Sequence, residues 1–130
     1  MTRFTRRGVA SLLLLAPSGA ALAQGAAAPR RGPNGGQVIT ADGHPIELVV
    51  SGTTLTLFVS EENGQPMATA RASGRATVQA GGQTATVNLA PAEPNRLVGT
   101  LAAPLAAGAR VVFNGTLSDG HRVTARYVVE

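Results

Sequence analysis

Two tripeptides, Asp42-Gly43-His44 and Asp119-Gly120-His121, contain both histidines of the 130-residue chain. Each is followed two positions on by an apolar residue, Ile46 or Val123, and each run ends in a valine pair, Val49-Val50 or Val128-Val129. Imidazole nitrogen and carboxylate oxygen are ligands that suit Zn(II) or Cu(II). If the two turns meet at one end of the fold, His44 and His121 form a zinc or copper site with Asp42 or Asp119, and Glu47 is a further candidate support. The condition is geometric, because imidazoles more than about 10 Å apart cannot share one ion through bonds near 2 Å. The same tripeptides are also ordinary hairpin chemistry, in which Asp supports the turn, Gly takes positive φ and the histidine merely follows.

Other chemistries lack their parts. The chain has no cysteine, which excludes thiol nucleophiles and disulfides alike. No serine sits in a nucleophile elbow, and the glycine pairs Gly35-Gly36 and Gly81-Gly82 lack the lysine and helix of a phosphate loop. Glu61-Glu62 precedes Asn63-Gly64 and reads as a solvated turn, and Met67 beside Pro66 reads as core filler rather than a copper ligand. We therefore expect a protein that binds rather than catalyses.

The elements that must position the two histidines are strands. Apolar residues recur mainly at period two, the pattern of half-buried strands. Ile46, Leu48 and Val50 form one row, with Ser51-Gly52 as a turn into Leu55, Leu57 and Val59. Strands are also expected over 76–78 and 84–89 around a Gly81-Gly82 turn, then over 96–101, 110–117 and 121–129. Pro91 and Pro94 mark a loop, since neither donates to a ladder, and residues 102–108 read as a loop rather than a helix because of Pro104 and Gly108. The expectation is an all-β fold, a single small antiparallel β-sandwich of Ig-like or Greek-key type with seven or eight strands. By alternation His44 falls on the row of Ile46, and His121 on the row of Val123, Ala125 and Tyr127.

The chain opens with Arg3, Arg6 and Arg7, an apolar stretch around residues 12–15, and Ala21-Leu22-Ala23 before Gln24. That is the pattern of a signal peptide over 1–23, which places the protein in the periplasm or outside the cell. Thr5-Arg6-Arg7-Gly8-Val9 also resembles a twin-arginine signal, and both export routes stay open. The apolar stretch is shorter than the roughly 20 residues of a membrane span, so no span is expected in the mature chain. Residues 24–32 read as a flexible Ala, Pro and Gly-rich leader, and residues 33–130 as the folded domain. Removing the signal takes three of the 11 basic residues and leaves 8 arginines against 7 acidic residues, a net of +1. With scattered arginines and no interleaved aromatics, nucleic acid is not an expected partner.

Pro33-Asn34-Gly35-Gly36-Gln37-Val38, the run 43–50 with Glu47, Gly64-Gln65-Pro66, Gly81-Gly82 and Asn95-Arg96-Leu97-Val98-Gly99 resemble a family of small exported bacterial proteins. Similar segments are attached to the periplasmic adaptor subunits of heavy-metal efflux systems. The resemblance implies metal-linked envelope function and an envelope partner such as an efflux adaptor. In that pattern the opening is Pro-His-Gly-Gly and the first strand carries His-x-Glu. Here Asn34 replaces the first histidine and Pro45 stands two before Glu47. His44 and Glu47 are three apart, so they point to opposite faces of a strand, and a site has to be assembled from His44 and His121 instead. The alternative is a structural or interaction module of the envelope that binds a protein partner and no metal.

Overall fold

The protein is described here from a computed structural model covering residues 30–130; the expected signal segment, 1–23, lies outside the described residues. The fold is all-β. Nine strands, β1 (Arg30–Arg31), β2 (Gln37–Ala41), β3 (His44–Ser51), β4 (Thr54–Val59), β5 (Ser73–Ala80), β6 (Gln83–Ala92), β7 (Arg96–Thr100), β8 (Arg110–Thr116) and β9 (Arg122–Val128), follow in chain order. They form one antiparallel sheet in the order β1-β2-β3-β4-β7-β6-β5-β8-β9. No helix among the described residues is long and apolar enough to cross a membrane.

Two features separate this sheet from the expected seven- or eight-stranded sandwich. The first is β6, whose residues up to Leu89 pair with β5 while Ala90, Pro91 and Ala92 pair with β7. One strand thus passes from one half of the structure to the other, and the hydrogen bonding runs on without a gap into a single curled sheet. The second is strand count. β1 lies inside the stretch expected to be a leader, pairing Arg30 with Val38 and Arg31 with Gln37, and β2 carries no clear apolar alternation. β1 is a two-residue edge strand and β2 a five-residue one beside it, and periodicity reveals neither. Pro91, expected in a loop, is tolerated in β6 because the last β5 pair is Gly74 with Leu89. Beyond that point β6 has a neighbour on one side only, and a missing N–H on the open side costs no ladder bond.

The inner face of the curl is mainly aliphatic, with Phe113 and Tyr127 among its buried residues. Ile46, Leu55, Leu57, Val59, Leu97, Val111 and Phe113 are fully buried, each contributing about 1.5–3 kcal/mol by leaving water. Met67 lies in this core, as its sequence context indicates. The segment 102–108 is a loop, and its Leu105 packs on the core from the side. Opposite ends of the sheet order are tied across the curl. The Tyr127 hydroxyl on β9 donates to the Ile46 carbonyl on β3 at 2.8 Å, Gln37 on β2 donates to the Val128 carbonyl, and Arg31 pairs with Glu130. Burial raises the Tyr127 pKa well above the ordinary tyrosine value, with the Glu47 charge adding to the effect, so the hydroxyl keeps its proton as a donor. These ties decide which turns meet.

Candidate metal centre

The β2–β3 connection is a two-residue hairpin in which Ala41 pairs with His44. Asp42 and Gly43 both have positive φ, 50° and 83°, the requirement of a type I′ turn and the reason Asp-Gly stands there. His44 is thereby the first residue of β3, on the inward row of Ile46, and is 2% exposed. The β8–β9 connection closes differently. The Gly120 N–H donates to the Leu117 carbonyl at 2.9 Å and the Leu117 N–H to the His121 carbonyl at 2.8 Å, a three-residue loop with Gly120 at φ 91°. Asp119 stabilises it by accepting the His121 N–H on Oδ1 at 3.0 Å. Ser118 ties the loop to the neighbouring segment by donating to the Ala68 carbonyl at 2.7 Å.

The two turns meet at one end of the curl. The rings of His44 and His121 have centroids 5.4 Å apart, inclined at 53°. Asp119 stands between them, with Oδ2 at 3.2 Å from His44 Nε2 and 2.7 Å from His121 Nδ1. Ligand atoms of His44, Asp119 and His121 all lie within 4.8 Å of one another. Asp42 approaches from the other hairpin, its Oδ2 3.8 Å from His121 Nε2. Three of the five candidate residues, His44, Asp119 and His121, thus form one group, and Asp42 stands beside it on the far ring nitrogen of His121.

Glu47 is placed elsewhere. Its buried carboxylate accepts the Asn34 N–H at 3.0 Å, the Asn34 amide at 3.1 Å and the Gly36 N–H at 2.7 Å. It is outside the metal-capable group and closes the Pro33-Asn34-Gly35-Gly36 turn instead. The physical reason is strand parity, since a residue three from His44 faces the opposite side of β3.

The polarity of His44 is set by a residue that motif reading missed. Its Nδ1 donates to the Ser60 carbonyl at 2.9 Å. A carbonyl only accepts, so Nδ1 carries a hydrogen, and in the neutral ring Nε2 presents a lone pair. Nε2 is buried and has no hydrogen-bond partner, yet faces a carboxylate oxygen 3.2 Å away. Two acceptors at that distance need a proton or a metal cation to bridge them. A His-bound metal commonly has its second nitrogen held in this way, which fixes the ring and the tautomer. Ser60 follows directly on the Ile46–Val59 pair, and its N–H donates to the Pro45 carbonyl at 3.0 Å, which places its own carbonyl beside the start of β3.

The electrostatics also favour a cation. The His121 pKa is raised above 6.5, first by the hydrogen bond to Asp119 and then by its charge, with Asp42 and Glu62 adding. The Asp119 carboxyl is lowered, chiefly by accepting the His121 backbone N–H and further by the imidazoles. Glu62 was expected to be only a solvated turn residue. Its carboxylate lies over the β2–β3 turn, where a side-chain carbon added at Gly43 would come within 3.0 Å of Oε2. Three carboxylates therefore surround two imidazoles.

One donor pair has the spacing of ligands on a tetrahedral divalent ion: bonds of about 2.0–2.1 Å give an edge of about 3.3 Å, and His44 Nε2 to Asp119 Oδ2 is 3.2 Å. His121 Nδ1, hydrogen-bonded to the same oxygen at 2.7 Å, would have to draw back from it to ligate. His121 is half-exposed while His44 is buried, so a bound ion would be anchored on its inner side and reachable from solvent on its outer side. Comparison with protein-family models, with curated proteins and with solved structures found no match. What this site can do rests on its own geometry.

Proposed function

We propose that the protein is a non-enzymatic metal-binding accessory protein of the bacterial periplasm, holding Zn(II) or Cu(II) through His44, Asp119 and His121 with Asp42 as the fourth ligand. One observation carries this reading: the buried His44 has Nδ1 held by the Ser60 carbonyl and Nε2, which has no hydrogen-bond partner, aimed at the Asp119 carboxylate. A buried polar atom without a partner costs about 1–3 kcal/mol, and a ligated ion would remove that cost. The export signal over 1–23 supports the compartment. The resemblance to segments of efflux adaptor subunits supports a role in metal homeostasis or efflux, with such an adaptor as the partner.

Calorimetric titration of the metal-free protein with Zn(II) and with Cu(II) tests the reading. The expected result is one ion per chain, with binding abolished by His44→Ala plus His121→Ala. Absence of binding heat, or unchanged binding in the double variant, overturns it and leaves the envelope interaction module that binds no metal.

A further inference from the structure

The strands β5, β6, β8 and β9 contain no aspartate or glutamate at all. They carry four arginines, Arg75, Arg110, Arg122 and Arg126, half of the eight that follow the signal segment. Alternation puts all four on one side. Ala76 and Val78 of β5, Val111 and Phe113 of β8, and Val123, Ala125 and Tyr127 of β9 are buried, so the residues between them face outward. The four arginines are exposed, and none makes a salt bridge among the described residues. The acidic residues lie in the other half of the sheet, in the connecting turns or at the chain end. A net charge near zero therefore conceals a molecule with a carboxylate-rich end at the metal centre and a guanidinium-rich convex face beside it.

Within that face the register builds a hollow. Arg75 pairs with Asn88 on one side and with Asn114 on the other, and Asn114 pairs with Thr124. Arg122 lies across from Thr116, one outward row further along. Two strand spacings and one two-residue step separate the Arg75 and Arg122 backbones, roughly 12 Å, and two arginine side chains can close on one group across that gap. Between them lies a depression of about 580 Å³ lined by Arg75, Asn88, Asn114, Arg122 and Thr124, within the usual range for a small-ligand site. The Thr124 hydroxyl donates to the Asn114 side-chain oxygen at 2.8 Å, which turns the amide N–H groups of Asn114 toward other partners. The hollow is thus rich in donors and free of carboxylates.

We infer that this hollow binds a phosphate oxyanion, presented by the headgroup of an anionic phospholipid, and that the surrounding arginines hold this face of the protein on a negatively charged bilayer. Guanidinium forks match phosphate oxygens two at a time. A protein partner is disfavoured by composition, since interface cores are depleted in charge and rich in aromatics, and this face offers no aromatic residue and few apolar ones. A single-stranded nucleic acid would find no stacking rings on this face. Basic residues near an anionic leaflet each contribute to attraction, and salt screens it.

The test is sedimentation of the protein with vesicles containing 30 mol% phosphatidylglycerol in phosphatidylcholine, at low and at high salt. Pure phosphatidylcholine vesicles give the charge-independent baseline, and the segment 1–23 with Arg3, Arg6 and Arg7 is common to every variant, so its contribution drops out of their comparison. We expect binding that depends on phosphatidylglycerol and weakens with salt. It falls at least tenfold in Arg75→Gln plus Arg122→Gln, but less than threefold in Arg30→Gln plus Arg71→Gln, which removes the same charge elsewhere. Arg75→Lys plus Arg122→Lys should bind at an intermediate level, since the charge remains and the forks are lost. All these positions are exposed, and an unchanged thermal midpoint checks folding. Equal loss in the two glutamine pairs would reduce the effect to bulk charge and overturn the site. Failure to sediment above baseline would do the same, as would inorganic phosphate at a few millimolar displacing the vesicles completely, which would make free phosphate the ligand.

Discussion

Replacing His44 by leucine separates a metal ligand from a buried structural histidine, because the two roles predict different responses to added ion. Without metal, the variant loses the hydrogen bond from Nδ1 to the Ser60 carbonyl, worth about 1 kcal/mol. It also loses the unpartnered Nε2, whose burial costs about 1–3 kcal/mol. The two nearly offset, so metal-free stability should change by no more than about 2 kcal/mol in either direction. With Zn(II) at 100 times the dissociation constant, the wild-type protein gains about 2.7 kcal/mol. For a domain of this size that raises the thermal midpoint by roughly 10–20 °C. Structural zinc sites bind with about 10–16 kcal/mol through four ligands, so losing one ligand weakens binding at least about 100-fold. At the same ion concentration the variant then gains only about 0.4 kcal/mol, a shift of about 2–3 °C. Scanning calorimetry of both proteins with and without Zn(II) measures all four midpoints. Equal metal-induced shifts in the two proteins, or no shift in the wild type, would refute the assignment of His44.

Glu47→Gln should leave metal affinity within about threefold while destabilising the fold by about 1–3 kcal/mol, because a buried acceptor of three N–H groups is replaced by one carrying its own N–H groups; urea unfolding and metal titration on one sample distinguish the two effects. Tyr127→Phe removes the buried hydrogen bond to the Ile46 carbonyl and should cost about 1 kcal/mol, and because this contact ties β9 to β3 it should also weaken Zn(II) binding although Tyr127 touches no ligand. Metal affinity should fall with acid, starting above the 6.5 of an ordinary histidine because the His121 pKa is raised; the ion needs the neutral ring, so affinity rises as pH climbs through that raised value and levels off beyond it. The metal-free Asp119–His121 pair has the opposite dependence on its basic side, since stability from a raised histidine is present below its unfolded pKa and is lost as pH rises through the folded one. Titrations from pH 5.5 to 8.5 show whether affinity moves in the stated direction.

The strands over 84–89 and 121–129 were legible because each has one wet and one dry face, and period two records that difference; those over 46–50 and 55–59 were legible from their apolar rows although both faces of 46–50 are largely covered. β1 and β2 were not legible, since Arg30–Arg31 and Gln37–Ala41 owe their pairing to neighbours rather than to alternation. The curl of the sheet was hidden for a related reason. It depends on where β6 exchanges partners, near Leu89 and Ala90, and no local pattern encodes the identity of a neighbouring strand. The two turns at the site announced themselves through Asp-Gly, and parity correctly put His44 inside and kept Glu47 off its face. Ser60 and Glu62 escaped because their roles come from a backbone carbonyl and from a charge acting through space, neither of which needs a particular motif.

The site is a consequence of sheet closure. His44 opens the third strand of the hydrogen-bonded order and His121 immediately precedes the last, so in a flat sheet they would be far apart. They meet at a ring separation of 5.4 Å because the curl brings β9 back over β3, where Tyr127 fixes it. An ion held by both histidines would therefore join residues 77 positions apart in sequence. Cross-links that close long loops constrain the unfolded chain most, and this protein has no disulfide to do so. A metal bridging the two hairpins would take that place, and its stabilising effect should act on opening of the curl between β2 and β9 rather than on the local hairpins. Hydrogen exchange with and without Zn(II) can locate it. Added protection confined to residues 42–44 and 119–121 would contradict the coupling, whereas protection spreading along β2, β3 and β9 is what closure by a shared ion requires.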